Sequence, residues 1–296
     1  MQMRTRLPSL SSGSCRIWLL CLVLLGVSVS AGCSVFSPVS ILNALVPSSG
    51  YTLQSGVVHG DGERQKLDIY FPVTPADQTR TIVFVYGGAW RDGSREDYEF
   101  VGQALADAGH TVIIPDYRLY PSVVYPEFVN DIVSAIQAAR APVEQRRGEA
   151  LDEIVLMGHS SGAHTAALLS ADPRWLKDSR ITLDALVAIA GPYDLPLDDP
   201  EVEPVFSGVS DANEVIPVAL TTSEHPPALL IHGVDDERVL PFHTRRYAAA
   251  LQAADVRVDV RWLQDTGHVG SISGIASPLD RSDRNRQRII DFLDSL

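Results

Sequence analysis

Cysteine is nearly missing from this chain of 296 residues: Cys15, Cys21 and Cys33 are all it has, and none follows position 33. A disulfide framework and a cysteine-ligated metal are therefore excluded for everything beyond that point. There is no H-E-x-x-H and no paired C-x-x-C, and no glycine-rich stretch carries the lysine of a phosphate-binding loop, so neither metal nor cofactor is expected. Positive charge is scarce as well. Against 37 Asp and Glu stand 24 Lys and Arg, a formal net charge of −13, which repels a polyphosphate backbone and excludes nucleic acid as an expected partner. Repeats and low-complexity tracts are absent, and the apolar run 17–29 makes only about 20 Å of helix, too short to cross a bilayer comfortably.

What is present is an alternation. Strand-like runs near 67–71, 81–86, 111–115, 153–157, 183–190, 228–232 and 256–263 are separated by helical patterns near 96–108, 125–141, 161–171, 241–253 and 284–294. The strands are mostly apolar throughout, as parallel strands covered on both faces must be. The order predicts an α/β fold built on a mostly parallel, doubly wound sheet.

Within that order one stretch carries chemistry. Gly158-His159-Ser160-Ser161-Gly162 follows the strand pattern Glu153-Ile154-Val155-Leu156-Met157 and opens a helical run. A serine between two such glycines sits at a tight strand-to-helix turn, where flanking side chains would collide with backbone, and Ser160 is therefore the candidate nucleophile. His159 and His164 flank it as candidates for the pocket wall. A serine hydroxyl attacks only when a base removes its proton, and the base needs an acid to hold its tautomer. Beyond Ser160, the apolar strand 228–231 runs into His232-Gly233-Val234-Asp235-Asp236-Glu237-Arg238-Val239, which offers Asp235 or Asp236 at a strand's carboxyl end, where α/β sheets place their sites. Two histidines follow, His243 and His268. His268 is the expected base, because it comes after a further strand in the loop Asp265-Thr266-Gly267-His268, whereas His243 opens a helix and reads as a partly exposed polar residue.

A tetrahedral oxyanion needs backbone donors already aimed at it. The strand 81–85 leads into Tyr86-Gly87-Gly88-Ala89-Trp90, a loop that resembles the H-G-G-x-W oxyanion motif of the α/β-hydrolase carboxylesterases. The resemblance extends from about residue 65 to the C-terminus, through Lys66-Leu67-Asp68-Ile69-Tyr70-Phe71-Pro72 and Pro115-Asp116-Tyr117-Arg118-Leu119. It is nearest to the branch holding carboxylesterases, prenylcysteine methylesterases and arylformamidases. It implies an α/β-hydrolase fold and a serine esterase acting on small or medium carboxylic esters through an acyl-enzyme. It further implies Asp236, in H-G-x-x-D-x-x-V, as the acid, and Gly88, Ala89 and Ser161 as oxyanion donors. An arylformamidase-like amide hydrolase is the alternative, and a non-catalytic binding protein on a retained hydrolase fold is another. Tyr86 departs from the motif's histidine, which puts in question the hydrogen bonds beneath the loop. Residues 195–227, rich in Pro, Asp and Glu, read either as a surface excursion or, as the resemblance implies, as a cap placing Val205, Phe206, Val209 and Val215 against substrate.

The N-terminus carries a separate message. Arg4, Arg6 and Arg16 precede the apolar run, and Ser30-Ala31-Gly32-Cys33 closes it, resembling a bacterial lipobox with Ser30 where leucine is preferred. The expected organisation is a signal peptide over 1–32, a tether over 33–50 beginning at a lipidated Cys33, and a hydrolase domain over 51–296, held on a membrane and facing the periplasm or exterior. An ordinary cleaved signal and an uncleaved anchor are the competing readings. Removal of the leader takes three arginines and no acid with it, leaving 21 basic against 37 acidic side chains, a net of −16.

Overall fold

The computed structural model describes residues 40–43, 46–276 and 285–296. Eight strands form one sheet: β1 (Tyr51–Val58), β2 (Lys66–Pro72), β3 (Thr81–Val85), β4 (Thr111–Pro115), β5 (Glu153–His159), β6 (Thr182–Ile189), β7 (Ala228–Gly233) and β8 (Val258–Leu263), in the order β1-β2-β4-β3-β5-β6-β7-β8. β2 pairs antiparallel with β1 and with β4, and every pair from β4 to β8 is parallel. The sheet is flanked by α1 (Glu99–Asp107), α2 (Glu127–Arg147), α3 (Ser161–Ala171), α4 (Phe242–Ala253), α5 (His268–Ser273) and α6 (Asn285–Asp294).

Burial follows composition. β3 (TIVFV) and β7 (ALLIHG) are buried at every position, as continuous apolar runs in the middle of a covered parallel sheet should be. α3 is buried along its whole length, because its sequence SGAHTAALLSA is small or apolar on all sides. β1 differs. Its pattern is largely exposed, and it bulges between Gln54 and Val57, where the Asp68 carboxylate accepts from Ser55 Oγ at 2.7 Å and from the Gly56 amide at 2.8 Å. Sequence periodicity did not predict this edge strand.

Residues 195–227 contain no helix longer than one turn. Val205, Phe206 and Val215 are buried, and Phe206 packs edge-on against Trp90 at 5.0 Å between ring centroids. These residues root the segment in the core. Leu195, Pro196 and Asp199 to Val202, earlier in the segment, line a cleft that also includes Ser160. Among the described residues no helix is long and apolar enough to cross a membrane. The run 17–29 and Cys33 lie outside them.

Candidate active site

Parallel strands end on one side of the sheet, and the loops after β3, β5, β7 and β8 bring the sequence candidates together there. Ser160 caps β5 at φ 56° and ψ −127°, a left-handed backbone that places its hydroxyl at the tip of the turn. The turn closes tightly: a Cβ on Gly162 would lie 2.1 Å from the Val85 carbonyl oxygen, so only glycine lets α3 approach β3.

Ser160 Oγ lies 2.9 Å from His268 Nε2, and His268 Nδ1 lies 2.7 Å from Asp236 Oδ2. Asp236 is 2% exposed, whereas Asp235 is exposed and uses only its backbone, donating to the Thr266 carbonyl. The other oxygen of Asp236 accepts from the amides of Arg238 (3.0 Å) and Val239 (2.9 Å), and His232 Nε2 lies 3.3 Å from Oδ2. Burial pushes this carboxyl up, but hydrogen bonds from His232, His268 and the Val239 amide outweigh it and hold it well below the ordinary carboxylate range.

His159 supports the base from behind. Its ring lies 4.9 Å from that of His268, and its Nε2 is 3.4 Å from the His268 carbonyl oxygen. Burial first, and the neighbouring His268 second, lower its pKa to about 3, so it is neutral near neutral pH. His164, also read as a wall candidate, is fully buried instead, bonded through Nε2 to the Val215 carbonyl at 2.8 Å and packed edge-on against Trp90.

The loop after β3 holds Gly88 at φ 137°, Ala89 at φ 51° and Trp90 at φ 57°. A side chain at Gly88 would meet the Asp92 carbonyl oxygen at 2.0 Å. The Gly88 carbonyl accepts from Arg91 and Asp92, while among the described residues the amides of Gly88, Ala89 and Ser161 donate to no protein acceptor. Tyr86 answers the question its departure raises. Its hydroxyl donates to Asp116 Oδ1 at 2.9 Å and accepts from Arg64 at 2.9 Å, and Arg64 also reaches the Gly93 carbonyl at 2.5 Å. Its ring is stacked on Tyr117 at 4.7 Å, and the Tyr117 hydroxyl donates to the Tyr86 carbonyl at 2.9 Å. Beneath the loop, a tyrosine, arginine and aspartate network fills the place of the missing histidine.

A cleft of about 370 Å³ opens beside Ser160, lined by Ala89 and Trp90 from one loop, by Pro192, Leu195 and Pro196 from another, and by Glu201, Arg238 and His243. Glu201 straps its mouth: the carboxylate pairs with Arg238 at 2.5 Å and the backbone carbonyl accepts from Arg91 at 2.9 Å. His243 is the residue sequence reasoning missed. It is 5% exposed rather than a surface residue, and its place in the cleft wall depends on how α4 docks, which helical periodicity alone does not reveal.

This architecture has solved counterparts. The chain superposes on a truncated carbohydrate esterase from gut microbiota with a TM-score of 0.69 at 20% identity, over 84% of this chain and 98% of that one. It superposes on an arylesterase with a TM-score of 0.66 at 21% identity, over 94% and 97%. The fold is that of the α/β-hydrolases. Residues 67–251 match the BD-FAE family, and the chain belongs to that family. It is 31% identical over 244 residues to esterase LipC of Mycobacterium tuberculosis, covering 73% of this chain and 59% of the relative. Over 238 residues it is 26% identical to a probable isoprenylcysteine alpha-carbonyl methylesterase of Oryza sativa subsp. japonica, covering 72% and 57%. A kynurenine formamidase of Salmo salar is 30% identical over 145 residues, 47% of this chain and 46% of that protein. The chain thus spans about half to three fifths of the length of these relatives.

Proposed function

We propose that the protein is a serine hydrolase of small to medium carboxylic esters. The observation that carries this reading is the continuous relay from Ser160 through His268 to Asp236, at 2.9 and 2.7 Å, beside backbone amides with no protein acceptor. Ser160 Oγ attacks the acyl carbon while His268 Nε2 takes its proton, and the carbonyl π electrons move onto the oxygen. The amides of Gly88, Ala89 and Ser161 receive that oxyanion, with no reorganisation at the moment of reaction. Collapse breaks the C–O bond to the alcohol, which leaves with the proton held by His268. Water then repeats the cycle in reverse roles, freeing the acid and Ser160. Asp236 stays ionised and orients His268 throughout.

The esterase names among the relatives support this chemistry, and the kynurenine formamidase supports a second reading, since the same groups cleave an activated N-formyl amide. The test is labelling with a fluorophosphonate probe, followed by turnover of p-nitrophenyl esters of rising acyl length and of an N-formyl arylamine. Ser160→Ala is expected to lose labelling and nearly all turnover. Ester rates are expected to fall beyond medium chains in a cleft of about 370 Å³. Absence of labelling in the wild type overturns the enzyme reading in favour of a binding protein, and turnover confined to the formyl amide favours the second reading.

The leader sequence supports a place for this activity: an exported lipoprotein, anchored at Cys33 with the hydrolase facing the periplasm or exterior. Two or three acyl chains on the mature N-terminus hold a protein on a bilayer where one alone does so only marginally. Cys33→Ser is expected to abolish incorporation of labelled palmitate and to leave an unprocessed precursor. Normal leader removal and release of this variant points to an ordinary signal peptide instead.

A further inference from the structure

The cleft beside Ser160 is lined by His243, a side chain the relay does not use. His243 Nδ1 accepts the Asp194 amide at 3.3 Å, so the ring's proton sits on Nε2. Nε2 finds no protein acceptor among the described residues. The ring is held in place by its neighbours. Phe242 stacks on it at 4.0 Å, Arg246 lies over Phe242 at 5.2 Å, and the same Arg246 pairs with Asp194, the residue whose amide sets the tautomer. Burial lowers the imidazole to a pKa of about 4, so near neutral pH it is a neutral donor and not a cation. The same cleft is lined by the aliphatic Pro192, Leu195 and Val239 and by the charged Asp199, Glu201 and Arg238. Glu201 and Arg238 are paired with each other, whereas the Nε2–H of His243 has no protein acceptor among the described residues, and a fixed, unused donor in a cleft wall is the kind of group by which pockets select orientation and substrate.

We propose that His243 is a specificity-determining residue, whose Nε2–H donates to an oxygen that the substrate carries away from the scissile carbonyl. Preferred substrates are then esters with an ether, hydroxyl or carbonyl oxygen at that position rather than plain hydrocarbon esters. A methylene placed against this donor leaves it without a partner, whereas an oxygen supplies one.

The inference rests on the esterase reading, and matched substrates separate the two. One pair replaces a methylene by oxygen on the acyl side, p-nitrophenyl pentanoate against p-nitrophenyl 3-methoxypropanoate. The other does so on the alcohol side, butyl acetate against 2-methoxyethyl acetate. The readout is the ratio of kcat/KM within each pair, divided by the same ratio for alkaline hydrolysis, which removes intrinsic reactivity. In the wild type this quotient is expected to be about five to ten in one pair, the worth of a neutral hydrogen bond. It is expected to fall to about one in His243→Phe and to stay within twofold of wild type in His243→Gln, whose amide nitrogen reaches the place of Nε2. A wild-type quotient of one in both pairs overturns the proposal without need of a variant. So does a quotient that His243→Phe leaves unchanged. Wild-type turnover of none of the four esters defeats the esterase reading, and this inference with it.

Discussion

The Asp236 carboxylate is held by two amides on one oxygen and by His268 on the other, and His232 Nε2, which donates to the Val239 carbonyl at 2.8 Å, lies 3.3 Å from that second oxygen. Such a group does two things at once: it fixes the Nδ1–H tautomer of His268, and it fixes its own position through groups that never touch substrate. Replacing it by asparagine supplies an amide where His268 needs an acceptor, and kcat is expected to fall by on the order of 10⁴. Asp235→Asn, one residue away but exposed, is expected to stay within a few fold, and steady-state kinetics on one p-nitrophenyl ester decides between them. Equal losses at both positions would remove Asp236 from the acid role. Ser160 and His268 were legible because each follows a strand in a fixed chain order, whereas that order left Asp235 and Asp236 open and only the resemblance of H-G-x-x-D-x-x-V to the family's acid loop chose between them. The role of His232 beneath Asp236, and of His243 in the cleft wall, was not legible, because both arise from contacts between elements distant in sequence.

At the scale of elements, the buried strands and the central helix α3 follow from continuous apolar runs, whereas two features escape such reading. β1 is exposed over much of its length, so packing leaves no alternation in its sequence and its register is set by the Asp68 contact at the bulge. α2 runs past Pro142 to Arg147, because a proline there removes one amide but leaves the apolar face intact, and Gly148 at φ 75° ends the helix. The oxyanion loop depends on its underlay in the same way. Tyr86→Phe deletes a hydroxyl shared by Asp116 and Arg64, and unfolding in urea is expected to show a loss of about 1–3 kcal/mol. The donors themselves remain on the backbone, so kcat is expected to fall by less than the roughly 10²-fold that deletion of an oxyanion donor causes. A larger drop in kcat with unchanged stability would mean that the hydroxyl acts on the reaction rather than on the loop.

The molecule as a whole carries several histidines that folding keeps neutral. Burial lowers His159 to about 3 and His164 and His243 to about 4, from an ordinary 6.5, and shifts His59, His110 and His225 in the same direction. As pH falls through 6.5 the unfolded chain takes up protons that the folded chain refuses, so stability rises with pH across this window and is lost on acidification. Asp236 adds to this only further down, below its ordinary value of 3.8, where the unfolded chain protonates and the folded carboxylate does not. Thermal unfolding of the domain over 51–296 is therefore expected at progressively lower Tm from pH 7 to pH 4, with the contribution of these groups fading above pH 7. Asparagine at His164 should flatten the slope. A Tm independent of pH between 7 and 4.5 would show that the histidines are not held neutral.

The backbone at Ser160, φ 56° and ψ −127°, lies where serine is seldom found and glycine is at ease. The hydroxyl is aimed before any substrate arrives, and the chain opposes that aim with a force that would unbend the turn if its neighbours let go. Activity and durability therefore pull against each other at this one position. Ser160→Gly is expected to abolish turnover yet to relieve strain on the order of 1–3 kcal/mol, partly offset by glycine's extra freedom in the unfolded chain. A net gain near 1 kcal/mol raises Tm by about 2–4 °C in a domain of this size. Ser160→Ala, equally inactive but still bent, should melt with the wild type. The difference between two dead enzymes would thus measure what the living one gives up in ruggedness to keep its nucleophile ready.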